Sequence, residues 1–178
     1  MLRLRRICGE AAGRWWPTER HFHPPFESGL VTDLPPSLAD FARRLLLHEA
    51  GEGQRTQDLA DAMERVCQAL HSQLAPLVSA AGFNALVGRA VKLAAREYPF
   101  LAATSAITTP TCSFDGLRQA AEGREPADVA DALVAILANF IWLLVIFIGE
   151  NLGLRKVHEV WPDVPFTPPG SSSEKAQP

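Results

Sequence analysis

Five histidines and three cysteines are the side chains of this sequence best suited to metal or nucleophile chemistry. His48 beside Glu49, His71 and His158 stand singly. No H-x-x-x-H or H-E-x-x-H spacing puts two ligands on one helical face. His21 and His23 share the stretch HFHPP, a spacing suited to weak chelation only. Cys8, Cys67 and Cys112 are odd in number, far apart and free of C-x-x-C spacing, so neither a disulfide framework nor a zinc site is expected. There is no G-x-S-x-G elbow, no glycine-rich phosphate loop and no nucleophile with an obvious local base. The residues thus name no catalytic group, no metal and no cofactor. An enzyme whose site is assembled only in space is the least favoured of three functional readings.

The charged residues say little more. Arg89, Lys92 and Arg96 fall on one side of a helical segment, where an anionic lipid or acidic partner could bind, although a solvated face is the ordinary use of such a trio. Arg96 with Glu97 and Arg155 with Glu159 read as surface pairs worth a few tenths of a kcal/mol. A formal net charge of -3 and a pI near 5.9 supply no concentrated basic face, and nucleic acid is not an expected partner.

A chain of 178 residues with 47% apolar and 21% charged content can bury the core of one domain. The opening MLRLRRICGEAAGRWWPTER carries arginines without the apolar run that a secretory signal needs, so no signal peptide is expected. Residues 1–36 hold Pro17, Pro24, Pro25, Pro35 and Pro36 without sustained periodicity and read as a disordered arm. Trp15, Trp16, Phe22 and Phe26 are bulky for such a segment.

From residue 37 the periodicity turns helical. Ser37 and Asp40 resemble a capping box ahead of Leu38, Phe41, Ala42, Leu45 and Leu46, and Gly51 and Gly53 stop that helix. Thr56 or Asp58 caps a second, marked by Leu59, Met63, Val66, Cys67, Leu70, Leu74, Leu77 and Val78, with Pro76 kinking or ending it. Gly82 separates it from a third, with Phe83, Leu86, Val87, Ala90, Leu93 and Ala94 on one side, closed by Pro99. The threonine-rich stretch from Ala103 to Ser113 reads as a loop with room for a short strand. A brief helix around Leu117, Ala120 and Ala121 ends at Gly123. Glu125, Pro126 and Asp128 then start a long helix whose segment 132–149, ALVAILANFIWLLVIFIG, is apolar on every side except at Asn139. Leu152, Leu154, Val157 and Trp161 make a last amphipathic turn or two before Pro162, and residues 164–178 read as a flexible tail.

A helix apolar all round must be shielded all round, by protein or by lipid. Eighteen residues at 1.5 Å each reach roughly 27 Å, just short of a ~30 Å hydrocarbon core. Asn139 and the lack of a flanking basic cluster or aromatic belts favour burial among the three amphipathic helices upstream. The expected fold is all-α: a compact bundle of about five to six helices, residues 37–163, around a central apolar helix.

The segments AGFNALVGRAVKLAAREYPFL (81–101) and FIGENLGLRKVHEVWPD (147–163) resemble a family of small, all-helical bacterial proteins without a known activity. Gly153 stands where that pattern more often carries a hydroxyl residue. The resemblance implies a bacterial, cytoplasmic context and carries over no reaction, cofactor or catalytic residue. The favoured function is that of a non-enzymatic adaptor or regulator acting through protein contact, with an unknown protein or a second copy as partner. Phe83, Leu86, Arg89, Leu154, Val157 and Trp161 are its candidate contact face. The alternative is a membrane-associated protein whose helix 132–149 enters lipid, as the layout of cell-death regulators suggests by analogy alone.

Overall fold

The computed structural model describes residues 34–53, 55–103 and 115–166. The proposed arm up to residue 33, the threonine-rich loop over 104–114 and the tail beyond 166 lie outside the described residues. Within them the chain forms α1 (Pro36–Ala50), α2 (Thr56–Leu74), α3 (Ala80–Ala94), a 3₁₀ turn (Pro99–Ala103), α4 (Asp115–Ala121), α5 (Pro126–Ile148) and α6 (Glu150–Val160), with no strand among them. The all-α bundle around one apolar helix is therefore observed.

The first three helices are held at their starts by three different devices. Pro35 and Pro36, not Ser37, open α1, because prolines at the first positions give up an amide that has no helical partner in any case. Ser37 lies inside the helix, and its buried Oγ has no hydrogen-bond partner among the described residues. At α2 the Asp58 carboxylate reaches back to the Arg55 backbone N–H (3.3 Å) and guanidinium Nε (2.9 Å). The guanidinium's hydrogen bonds hold the Asp58 carboxyl below the usual carboxylate range. Ser79 caps α3 by accepting from the Gly82 N–H at 3.2 Å, so Gly82 belongs to the first turn and separates nothing. α2 ends at Leu74, two residues before Pro76, whose ring and missing N–H keep the helix from continuing.

The apolar faces converge on α5. Leu38, Phe41, Ala42, Leu45 and Leu46 of α1, Leu59, Met63, Val66, Leu70 and Leu74 of α2, and Phe83, Val87, Ala90 and Ala94 of α3 are all buried together with Val129, Leu133, Ile136, Leu137, Phe140, Ile141 and Leu144 of α5. Phe83 and Phe140 meet at a ring separation of 5.2 Å, and the His71 ring stands edge-on to Phe83 at 5.0 Å. Near the other end of α3, burial followed by the charge of Glu97 raises the Tyr98 hydroxyl pKa, with the Asp131 carboxylate of α5 adding to the effect. The two helices are thus antiparallel. α4 is tied to α2 by Arg118, whose guanidinium donates to Asp61 (2.6 Å) and Glu64 (2.5 Å) and is held above its ordinary pKa by those bonds.

Gly149 takes φ 90°, a conformation that needs glycine, and turns the chain back so that α6 lies along α5. α6 is a full helix of 11 residues rather than a turn or two. Gly153 faces the Val145 backbone, and a Cβ placed there would sit 3.5 Å from the Val145 Cα, an ordinary contact. Gly153→Ala or Gly153→Ser should therefore be neutral or stabilising by up to ~1 kcal/mol, since glycine weakens a helix interior. Gly153→Leu should lower stability by about 1–3 kcal/mol through overpacking, read as the midpoint of urea unfolding.

The body continues past the sequence boundary at residue 163. Val164 is buried, the Phe166 ring meets Phe41 edge-on at 5.2 Å, and Arg44 donates to the Pro165 carbonyl at 3.2 Å.

Candidate functional site

Helix geometry decides which part of α5 can meet anything outside the bundle. At 100° per residue, Ala135, Asn139, Trp142 and Ile146 fall within about 60° of one another, with Leu143 about 40° beyond Asn139 and Phe147 about 40° further round on the same side. Leu133, Leu137, Phe140 and Leu144 lie opposite and are fully covered. Along the stripe the cover thins toward the C-terminal end: Ala135, Asn139, Trp142 and Leu143 are partly exposed, whereas Ile146 is 54% and Phe147 64% exposed. Leu77, in the turn leading into α3, is 43% exposed, and the antiparallel run of α3 places it at this same end.

The amide of the stripe is bonded back to its own helix. The Asn139 Nδ2 donates to the Ala135 carbonyl at 2.8 Å, four residues back on its own helix. The Trp142 indole N–H is buried without a partner among the described residues. No lysine or arginine occurs anywhere from 125 to 154. At the N-terminal end of the stripe Asp131 pairs with Arg43 of α1 at 2.7 Å. Leu47, one turn after Arg43 in α1, is 48% exposed. The result is a strip without a charged side chain, small at Ala135 and bulky at Trp142 and Ile146.

No family model, curated protein or solved structure matches the chain.

The six residues singled out in the sequence do not share one open face. Phe83, Val157 and Trp161 are core members, and a partner could reach them only by opening the bundle. Leu86 and Leu154 are half-buried and Arg89 is exposed. α3 packs on α5 and the 3₁₀ turn, whereas α6 packs on α5 and α2. The Trp161 indole instead donates to the Glu49 Oε1 at 2.7 Å, while Arg65 donates to the Glu49 carbonyl oxygen at 2.6 Å and lies 3.5 Å from its carboxylate. That network ties the ends of α1 and α6 to α2. Of the surface pairs, Arg155–Glu159 is formed at 3.8 Å, but Lys156 at 2.7 Å is the closer partner. It is the Lys156 hydrogen bond that chiefly holds the Glu159 carboxyl low.

Ile146 and Phe147, exposed on α5, and the half-buried Trp142 are not among the six residues singled out in the sequence. Their only signal in the sequence is a run too long and too apolar for the amphipathic faces available to cover it. The run does not say which of its residues lose the cover. Among the described residues no group of three His, Cys, Asp or Glu side chains could hold a metal ion.

Proposed function

We propose that this protein is a non-enzymatic helical contact module, an adaptor or regulator, whose binding surface is the uncovered C-terminal stripe of α5. The observation that carries the reading is the exposure of Ile146 and Phe147, adjacent large apolar side chains, on the helix that elsewhere forms the core. Contiguous apolar surface is costly to leave in water and is characteristic of interaction sites. The stripe also lacks charge, as the centre of a protein interface does.

A photo-cross-linking amino acid placed at Phe147 of the full chain, expressed in a bacterium, tests this. The expected result is a covalent protein adduct that disappears when Ile146→Asp is added. Adducts with lipid alone, or none, would overturn the reading.

A second reading has its own support. Pro126–Ile148 is long and apolar enough to cross a membrane by length and composition. Half of its most apolar window is buried inside the bundle, and insertion would strip α1, α2, α3 and α6 of their common core. Recovery of the full chain in an alkaline-washed membrane pellet would support this reading and defeat the first.

A further inference from the structure

Resting on the contact reading above, we propose that the partner presents a basic amphipathic helix to α5. Its apolar anchor sits on the tip at Ile146, and its lysines or arginines lie toward the acidic start of α5. Helix geometry, extent and charge carry this.

The outward face of α5 runs unbroken along the helix. At 100° per residue, Asp128, Asp131, Ala135, Asn139, Trp142 and Ile146 fall within about 80° of one another. None of the six is fully covered: Asp128 and Ile146 are exposed at the two ends, and the four between them are partly so. The ends are 18 residues apart, a rise of about 27 Å. A straight face of that length, acidic at one end, small at Ala135 and apolar at the other end, accepts a second helix laid along it.

The large exposed apolar side chains of α5 are Ile146 and Phe147, which together fall short of the core of a standard interface. A partner held at the tip therefore needs contacts elsewhere on the face. What the face offers elsewhere is negative charge.

From 125 to 154 the chain carries Glu125, Asp128, Asp131 and Glu150, with no lysine or arginine among them. Arg43 of α1 engages Asp131, whereas exposed Asp128 and Glu150 make no ion pair among the described residues. Arg124, next in the chain, is placed over the Phe100 ring at 4.2 Å and donates to the Ala120 carbonyl. Arg89, Lys92 and Arg96 lie on the side of α3 away from its buried residues and add no positive charge to this face. Charge complementarity thus selects a basic partner. The same acids work against the other occupants. A second copy would set acids against acids when parallel and against the apolar tip when antiparallel, and an anionic bilayer would repel them.

Binding of a fluorescein-labelled amphipathic peptide to the full chain, followed by anisotropy, tests the inference. The peptide has about 20 residues, enough helix to span the face, with leucines at one end of its apolar side and lysines at the other. A second peptide carries glutamates in place of the lysines. The lysine peptide should bind in the micromolar range and at least about tenfold tighter than the glutamate peptide, a preference that shrinks as salt is raised. Ile146→Asp should weaken it at least about thirty-fold. Asp128→Lys should abolish the preference and Asp128→Asn should reduce it at least about threefold, both with the helical circular dichroism unchanged. No micromolar binding of the lysine peptide, equal binding of the two peptides, or a preference indifferent to position 128 would each overturn the proposal. In the cell, protein adducts through position 147 should fall when Asp128→Lys is added. Adducts undiminished by that substitution would sink this inference and leave the contact reading standing, whereas adducts with lipid alone would sink both.

Discussion

Replacing Phe140 by alanine should remove about 3–5 kcal/mol from the stability of the domain and lower its melting temperature by roughly 10–20 °C. Phe140 is buried at the centre of the bundle, with its ring 5.2 Å from that of Phe83. The loss combines the transfer of an aromatic side chain with a cavity that rigid helices on every side cannot collapse to fill. Against a total stability of about 5–15 kcal/mol, it brings the fold near the limit of persistence. Phe140→Leu, which keeps most of the volume, should cost markedly less. Ile146→Ala, on the same helix but half exposed, should change the melting temperature by only a few degrees. Thermal unfolding followed by circular dichroism distinguishes them, and equal effects at 140 and 146 would mean that α5 is not the core helix described.

The second large effect is expected at Trp161. Its indole is buried and donates to the Glu49 carboxylate, so Trp161→Ala should remove about 3–5 kcal/mol through lost packing, along with the bond that closes α6 on α1. Trp161→Phe isolates the hydrogen bond and should cost about 1–3 kcal/mol, since the carboxyl acceptor is only partly exposed to water. Glu49 would keep Arg65 at 3.5 Å, which softens the loss. A double-mutant cycle of Trp161→Phe with Glu49→Gln should show a coupling of about 1 kcal/mol or more. Coupling near zero would show that the indole N–H is equally well served by water and that the two chain ends close through packing alone.

These two residues show what kind of reading a sequence permits. Phe140 sits in an apolar run whose burial follows from its length, from Asn139, and from three amphipathic helices with nothing else to cover. Trp161 was legible as an aromatic near the end of the body, favoured as a lid on the core and offered also as a partner contact, and it is buried. Its bond to Glu49 joins positions 112 residues apart, and no local pattern encodes so distant a pairing. Helix starts were half legible for a related reason. Ser37 read as a cap, but the prolines at 35 and 36 open that helix, while Ser79, which does cap α3, went unread beside Gly82.

The amino-acid sequence by itself determined the helices, their approximate ends, and the centrality of segment 132–149. Periodicity, proline and glycine act on the chain locally, within a turn or two. Only the tertiary structure decided which side of α5 stays open. Gly153 of α6 packs against Val145, so the last turns of α5 are covered on that side, while Ile146 and Phe147, which point elsewhere, stay exposed. Packing likewise moved Phe83, Val157 and Trp161 from a supposed contact face into the core. A helix's apolar stripe shows that it is buried against something, and packing alone settles whether that is its own domain or another surface.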